Sequence, residues 1–542
     1  MKVEIAVNLM GGLGLFLYGM NLMGDGLQKS AGDKLKRIIE LLTSNVLMGV
    51  IVGALVTAII QSSSATTVMV VGFVNAGIMT LPQAIGVIMG ANIGTTITAQ
   101  LVSLDLVGLA PIALGIGIVM YLFSKNQKIK TIAEIFIGFG ILFTGMDFMK
   151  NAVAPLKEFQ GFTNMLVNFG HHPILGILLG FGITAIVQSS SASMGMLLAL
   201  ASGGLIPLAA ALPILYGENI GTCVTSLISS IGASKNARRA ATMHLVFNII
   251  GTLVFMLILT KPITMMVEYM TPGDVSRQIA NAHTLFNVIN VLLLLPFSKL
   301  IVKLTMKLIP EREDEIEEKK TVKYIDERMM ETPSIALSNT EKEALRMGEK
   351  AKNALTNAME GLLEKSKTKV NNAFEEEKLV NTLQKSILNY LLKLSKTSLN
   401  EESRESVDLL FNTVNDIERV GDHAENIAEL AITVMDNGLN VSEEGREELI
   451  ELYEKVMVTY NTALECMENS DIDLACKVIK LEEQVDIMEK SCRANHMHRL
   501  NHNSCTIDTG VIYLDLISNL ERISDHSVNI AQQVIKANKT LA

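Results

Sequence analysis

Polar residues interrupt the apolar runs of this chain in two places, and both interruptions read QSSSA. The first lies at Gln61 to Ala65, after VLMGVIVGALVTAII and before TTVMVVGFVNAGIM; the second lies at Gln188 to Ala192. Apolar runs near or above 18 residues with few charges cover 5–23, 106–123, 132–149, 241–260 and 284–302, and predict membrane-spanning helices. Soluble core helices are the alternative, a poor fit to so many runs in series. The runs flanking each polar tip are shorter, 44–60 with 65–79 and 173–187 with 192–206. They predict two re-entrant hairpins with tips at 61–64 and 188–191. Irregular backbone at membrane depth needs protein or a water-filled cavity around it, and two tips meeting near the midplane would supply one. From about residue 340 the pattern turns to amphipathic helix with few Pro or Gly, which predicts soluble helical bundles.

The apolar half is duplicated. Residues 57–103 align with 184–230 at a constant offset of 127, with 19 identities in 47 positions, and GLGLFLYGMNLM at 12–23 matches GFGILFTGMDFM at 138–149. The repeated units run from about 5 to 104 and from about 132 to 231. Basic clusters mark cytoplasmic loops. They occur at Lys29/Lys34/Lys36/Arg37, Lys125/Lys128/Lys130, Lys235/Arg238/Arg239 and Lys299/Lys303/Lys307, whereas 157–172 is poorer in positive charge and is expected outside. The two units then enter their cores from opposite sides, the inverted symmetry common in secondary transporters. The expected fold is all-α: a polytopic membrane domain of two inverted repeats over 1–309, a charged linker over 310–339, and a cytoplasmic domain of two three-helix bundles over 340–542.

Charge sharpens this division. Residues 1–309 carry a net +7 and residues 310–542 a net −17. An acidic soluble half without Trp gives no case for nucleic acid, leaving the lipid bilayer as the large partner. Cysteines at 223, 466, 476, 492 and 505 form no C-x-x-C pair, and the four in the acidic half fit a reduced cytoplasmic setting better than a disulfide framework. No cleavable secretory signal is expected, because the first apolar run lacks a basic n-region and a cleavage site.

Serine is a good N-cap, so each tip is expected to open a helix whose free N–H groups face a cavity. Ser62, Ser63 and Ser64 with Ser189, Ser190 and Ser191 suit a tetrahedral oxyanion. Gln61, Gln188, Asn92, Thr95, Asn219 and Thr222 offer oxygen ligands to a hard cation such as sodium, which would supply the positive charge these motifs lack. The plainer reading is that these residues only satisfy helix breaks and close packing. Glu218 stands where the first unit has Ala91; it would hold a cation, carry a proton or pair with a neighbour. His244 and Asn248 recur as His283 and Asn287, a pattern fitting interhelical hydrogen bonds better than a metal pair. There is no nucleotide-binding P-loop and no convincing catalytic triad, so an enzyme is not expected.

The paired QSSS tips, with GANIGT following from Gly90 and GENIGT from Gly217, resemble the type II sodium–phosphate cotransporter family over about residues 5–305. The resemblance implies sodium-coupled transport of inorganic phosphate across the cytoplasmic membrane, with Gln61 to Ser64 and Gln188 to Ser191 lining the sites. Alternating access of the hairpin-bearing core is the expected mechanism. The alternatives are a phosphate exporter on the same core, or a membrane-tethered phosphate-signalling protein without flux.

The acidic half is duplicated too: DIERVGDHAENIAEL at 416–430 matches NLERISDHSVNIAQQ at 519–533. Glu418 and Asp422 share a helix face, as do Glu521 and Asp525, and each pair invites a hard divalent cation. A network with Arg419 and Arg522 is the alternative. Glu482 and Asp486 repeat the spacing, but the first bundle has Asn381 after Glu377. The duplicated stretch resembles PhoU-like phosphate-regulatory domains, which implies a divalent or iron-type metal at such motifs and a cytoplasmic signalling partner.

Overall fold

The computed structural model describes residues 2–40, 45–104, 106–158, 172–310, 322–502 and 504–541; every regular element among them is helical. The segment expected outside lies largely beyond the described residues, as do the side chains of Lys34, Lys36 and Arg37. The chain divides into two units, Met1–Ile316 with Asp326–Ile335, and Glu317–Ile325 with Ala336–Ala542.

Among the described residues of the first unit, six stretches are long and apolar enough to cross a membrane: Glu4–Ala31, Leu81–Val102, Leu106–Phe123, Gln127–Leu156, Lys235–Met270 and Val275–Leu308. The first repeat comprises α1 (Lys2–Glu40), α2 (Val46–Ile60), α3 (Ser63–Asn75) and α4 (Leu81–Val102). After α5 (Ala110–Phe123), the second comprises α6 (Gln127–Val153), α7 (Pro173–Val187), α8 (Ser190–Ser202) and α9 (Leu208–Gly221). Helices α10 (Cys223–Ser229), α11 (Lys235–Val254), α12 (Thr260–Met270), α13 (Val275–Leu294) and α14 (Ser298–Leu308) complete the unit.

The hairpin arms have 15 and 13 residues in both copies. At 1.5 Å per residue they reach about 20–22 Å, short of a bilayer core of roughly 30 Å. Each incoming arm packs on the helix two elements later through paired glycines. A Cβ on Gly53 would collide with the Val87 carbonyl and one on Gly90 with the Val50 carbonyl. The second copy repeats this contact for contact, with Gly180 against Ile214 and Gly217 against Ile177. Small residues let backbones touch where lipid offers no hydrophobic drive for association. Pro262 has no N–H to give, and a π turn at Phe255–Leu259 separates α11 from α12 just ahead of it. The core gathers Phe16, Phe143, Tyr216, Phe255 and Phe286, with Tyr216 and Phe286 stacked at 5.3 Å.

The second unit holds α15 (Pro333–Glu364, from Ala336 onward), α16 (Lys367–Leu394), α17 (Glu401–Asp436), α18 (Glu443–Asn469), α19 (Ile472–Asn501) and α20 (Ile507–Leu541). The helices form two consecutive groups of three. Side-chain oxygens of Ser366, Asn400, Ser442 and Asp471 cap the N-termini of α16, α17, α18 and α19. Helices α17 and α20, which carry the duplicated acidic stretch, meet each other: His423 Nδ1 lies 2.9 Å from Asn519 Oδ1 and His526 Nδ1 2.9 Å from Asp416 Oδ1. The span 310–339 includes a short 3₁₀ turn at Glu327–Glu331 and the start of α15.

Candidate functional site

Each polar tip is a two-residue break with the same backbone. Gln61 closes α2 in the left-handed region (φ 58°), and Gln188 closes α7 likewise (φ 55°). Their N–H groups donate to Thr57 O and Thr184 O at 2.7 and 2.8 Å. Ser62 and Ser189 are extended and cap the next helix, their Oγ atoms accepting from Ala65 N (3.1 Å) and Ala192 N (3.2 Å). A residue with a Cβ in that region stores about 1–3 kcal/mol of strain, which persists where the surroundings impose it, often at functional sites. Here the surroundings include Thr98, whose Oγ1 donates to Gln61 Oε1 at 2.8 Å.

Both tips open onto one cavity of about 270 Å³, a volume suited to a small ion with its hydration. Its lining contains Gln61, Ser62, Ser63, Ser64, Gln188, Ser189, Ser190 and Ser191. The N-termini of α3 and α8 therefore serve one space. Met20, Asn21, Gly24, Asp25 and Gln28 of α1 complete one wall, and Glu331 contributes a carboxylate. Among the described residues, no Lys, Arg or His lines the cavity. Gln28 Nε2 is buried without a hydrogen-bond partner, leaving an amide donor for a ligand.

The other candidate ligands lie outside this lining, and Asn92, Thr95, Asn219 and Thr222 are engaged in other hydrogen bonds. Asn92 bonds to Asn248 (3.4 Å) and to His244 (3.3 Å), while Ser226 Oγ approaches His244 Nδ1 at 3.3 Å. His244 thus takes the interhelical role expected of it. Thr95 and Thr222 bond to backbone carbonyls one turn back, as does Asn219. Glu218 is 4% exposed, and its Oε2 has no hydrogen-bond partner among the described residues. The residues of α1 and Glu331 were not among the expected site residues. Asn21, Asp25 and Gln28 do form a polar face at i, i+4 and i+7 on an otherwise apolar helix, a signal legible in the chain. Glu331 had no such signal.

In the acidic unit, Glu482, Asp486 and Asp525 place carboxylate oxygens within 4.8 Å of one another. Partial burial, with repulsion from neighbouring carboxylates, pushes Glu482, Glu521 and Asp525 above the usual carboxylate range. In the other bundle, Asp422 pairs with Arg419 at 3.2 Å, and Glu418 is pushed up by partial burial and by Asp422. Glu377 accepts a hydrogen bond from Asn381 and is pushed up to about 7 by partial burial, Glu425, Asp422 and Glu418. A folded-state value raised from the ordinary 4.5 means this group favours folding below about 4.5 and loses that contribution as pH rises through about 7. Glu377→Gln is therefore expected to raise the melting temperature of the acidic unit by about 2–4 °C at pH 8, and to change it little at pH 4.5. Calorimetry at both pH values checks this.

The family model for the Na+/Pi-cotransporter matches residues 15–151 and 157–271, and that for the PhoU domain matches 344–431 and 449–534. The chain is 26% identical over 540 residues to YjbB of Salmonella typhimurium, named as a candidate inorganic phosphate export protein, covering 98% of this chain and 97% of that one. It is 32% identical over 297 residues to the uncharacterized protein YqeW of Bacillus subtilis, covering 55% of this chain and 96% of YqeW. A shorter match, 34% over 148 residues, covers 26% of this chain and 21% of the human sodium-dependent phosphate transport protein 2B. The two family models between them account for both halves of the chain: it belongs to the Na+/Pi-cotransporter family of membrane phosphate transporters and carries a PhoU domain.

Proposed function

We propose that the chain carries inorganic phosphate through the membrane by sodium-coupled alternating access, using the cavity between the two QSSS tips. The convergence of both tips on one base-free cavity carries this reading. Phosphate meets two helix N-termini and six serine hydroxyls, which stabilise an anion through dipoles and donors without a fixed positive charge. Sodium supplies the missing charge, coordinated by the Gln61 and Gln188 amide oxygens and the Asp25 carboxylate at the same cavity. Asn92, Thr95, Asn219 and Thr222 support the hairpins from behind, and the unpartnered Glu218 carboxylate is a second cation or proton position. The two repeats act as inverted halves, so that rocking of the hairpins exposes the cavity to either side in turn. The PhoU domain faces the cytoplasm and binds a divalent or iron-type metal at Glu482, Asp486 and Asp525, with Glu418, Asp422 and Glu521 contributing to the acidic surfaces around the two bundles.

Radiolabelled phosphate uptake into proteoliposomes of the full chain tests this, with sodium or potassium gradients imposed. Sodium-dependent uptake is expected, and equal uptake in both salts removes the coupling. Ser63→Ala and Ser190→Ala each delete one donor to a charged ligand, worth about 1.5–3 kcal/mol, so phosphate affinity should fall about 10- to 100-fold. Wild-type affinity in both variants would remove the serines from the site. Export is the second reading, favoured by the match to YjbB along nearly its whole length. Efflux from phosphate-loaded vesicles that outpaces uptake under matched gradients identifies it.

A further inference from the structure

Residues 326–335 follow the last membrane helix, yet they fold back onto the membrane unit. The anchor is specific. Asn75, the last residue of α3, donates from Nδ2 to the Asp326 carboxylate and accepts at Oδ1 from Ser234 N at 2.9 Å. Arg328 forms an ion pair with Asp326 at 2.9 Å and donates from Nε to Ser229 O at 2.6 Å, closing the end of α10. Met329 and Thr332 are fully buried. A Cβ on Gly72 of α3 would stand 3.4 Å from Arg328 Cβ and from Met329 Cγ. Two residues after Met329, Glu331 lines the serine cavity.

Two features give this arrangement meaning. Among the described residues it is fastened to the outgoing arm of the first hairpin and not to that of the second, where Ser202 stands in place of Asn75. A transport cycle that moves the hairpins must therefore move or shed a contact that one copy has and the other lacks. The strap also brings a carboxylate, chemically an anion of the substrate's own sign, to a cavity whose helix N-termini favour anions.

We propose that Asp326–Thr332 is a built-in plug on the transport cavity, with the Glu331 carboxylate opposing entry of phosphate and the Asp326–Arg328 pair latching it to α3. Helix α15 begins at Pro333, directly after the strap, and continues into the acidic unit. A change of state in that unit thus has a covalent route to the latch. The proposal rests on the reading of the serine cavity as the phosphate site.

The test uses the full chain, with phosphate binding measured in detergent and phosphate flux in proteoliposomes. Glu331→Gln is expected to tighten phosphate binding at least about 3-fold, and Arg328→Ala to raise flux. A Gly72→Cys/Arg328→Cys pair, in a Cys476→Ser/Cys505→Ser background, sits near the disulfide Cβ separation of roughly 3.5–4.5 Å. Oxidation should stop flux and reductant should restore it above wild type. Phosphate affinity unchanged in Glu331→Gln, with flux unchanged in Arg328→Ala and on cross-linking, overturns the plug while leaving the transport reading intact. A higher sodium requirement in Glu331→Gln at unchanged phosphate affinity also overturns it, making the carboxylate a cation ligand. No phosphate binding in any form, wild type included, removes the transport reading and the plug with it.

Discussion

Gln61→Gly and Gln188→Gly are expected to give folded protein, close to the parent in stability, that no longer moves phosphate. Both glutamines sit in the left-handed region, at φ 58° and 55°. Glycine adopts that region without the Cβ clash, which costs other residues about 1–2 kcal/mol, a gain partly offset by the greater freedom of glycine in the unfolded chain. Against this stands the loss of the side chain: Gln61 Nε2 bonds to Ala58 O at 2.5 Å, and Gln61 Oε1 accepts from Thr98. The break in the hairpin survives, because the backbone bond from residue 61 to Thr57 O needs no side chain. On the proposed reading the amide both serves a charged ligand and holds the tip, so its loss removes about two interactions of 1.5–3 kcal/mol and flux should drop about 100-fold or more. Thermal melting measured alongside phosphate flux checks both halves. Wild-type flux in either variant would mean that the tips are held in this strained form for packing alone.

Gly217→Val is expected to remove the folded membrane unit altogether. A Cβ there runs into the Ile177 carbonyl and would also stand 2.8 Å from Phe181 N. The obstacle is backbone on both sides of a close helix pair, which cannot turn aside as a long side chain can. Overpacking of flexible side chains costs about 1–3 kcal/mol; separating two helices costs more, because every contact along α7 and α9 loosens together. The first repeat carries the same contact, so Gly90→Val against Val50 should fail in the same way. Size-exclusion profiles in detergent read the outcome. A monodisperse Gly217→Val protein at wild-type yield would show that the α7–α9 approach is dispensable.

The two predictions separate two kinds of sequence signal. Gly53, Gly90, Gly180 and Gly217 and the QSSSA tips repeat at one offset, and the structure repeats their geometry in turn. Such features are local: a tip needs a terminating residue, a capping serine and an apolar helix on each side, all contiguous in the chain. The amphipathic acidic helices were legible for the same reason, since helical periodicity and side-chain caps act within a few residues.

The sequence by itself determined the helical class, the division between an apolar and an acidic half, the duplication within each, and the polar tips as the place to look for an anion. Only the tertiary structure decided which polar residues share a space. It gathered the serines and glutamines with Asn21, Asp25 and Gln28 of α1, and it left Asn92, Thr95, Asn219 and Thr222 outside that lining. It also drew Glu482 and Asp486 together with Asp525, across 39 residues of chain, rather than ranking Glu418 with Asp422 first. Glu331 is the clearest case, because nothing near it in sequence marks a site and its position follows from Asn75 and Ser229 holding Asp326 and Arg328. Periodicity and capping are set by neighbours along the chain; convergence is set by which helices pack, and a one-dimensional pattern does not contain that distance.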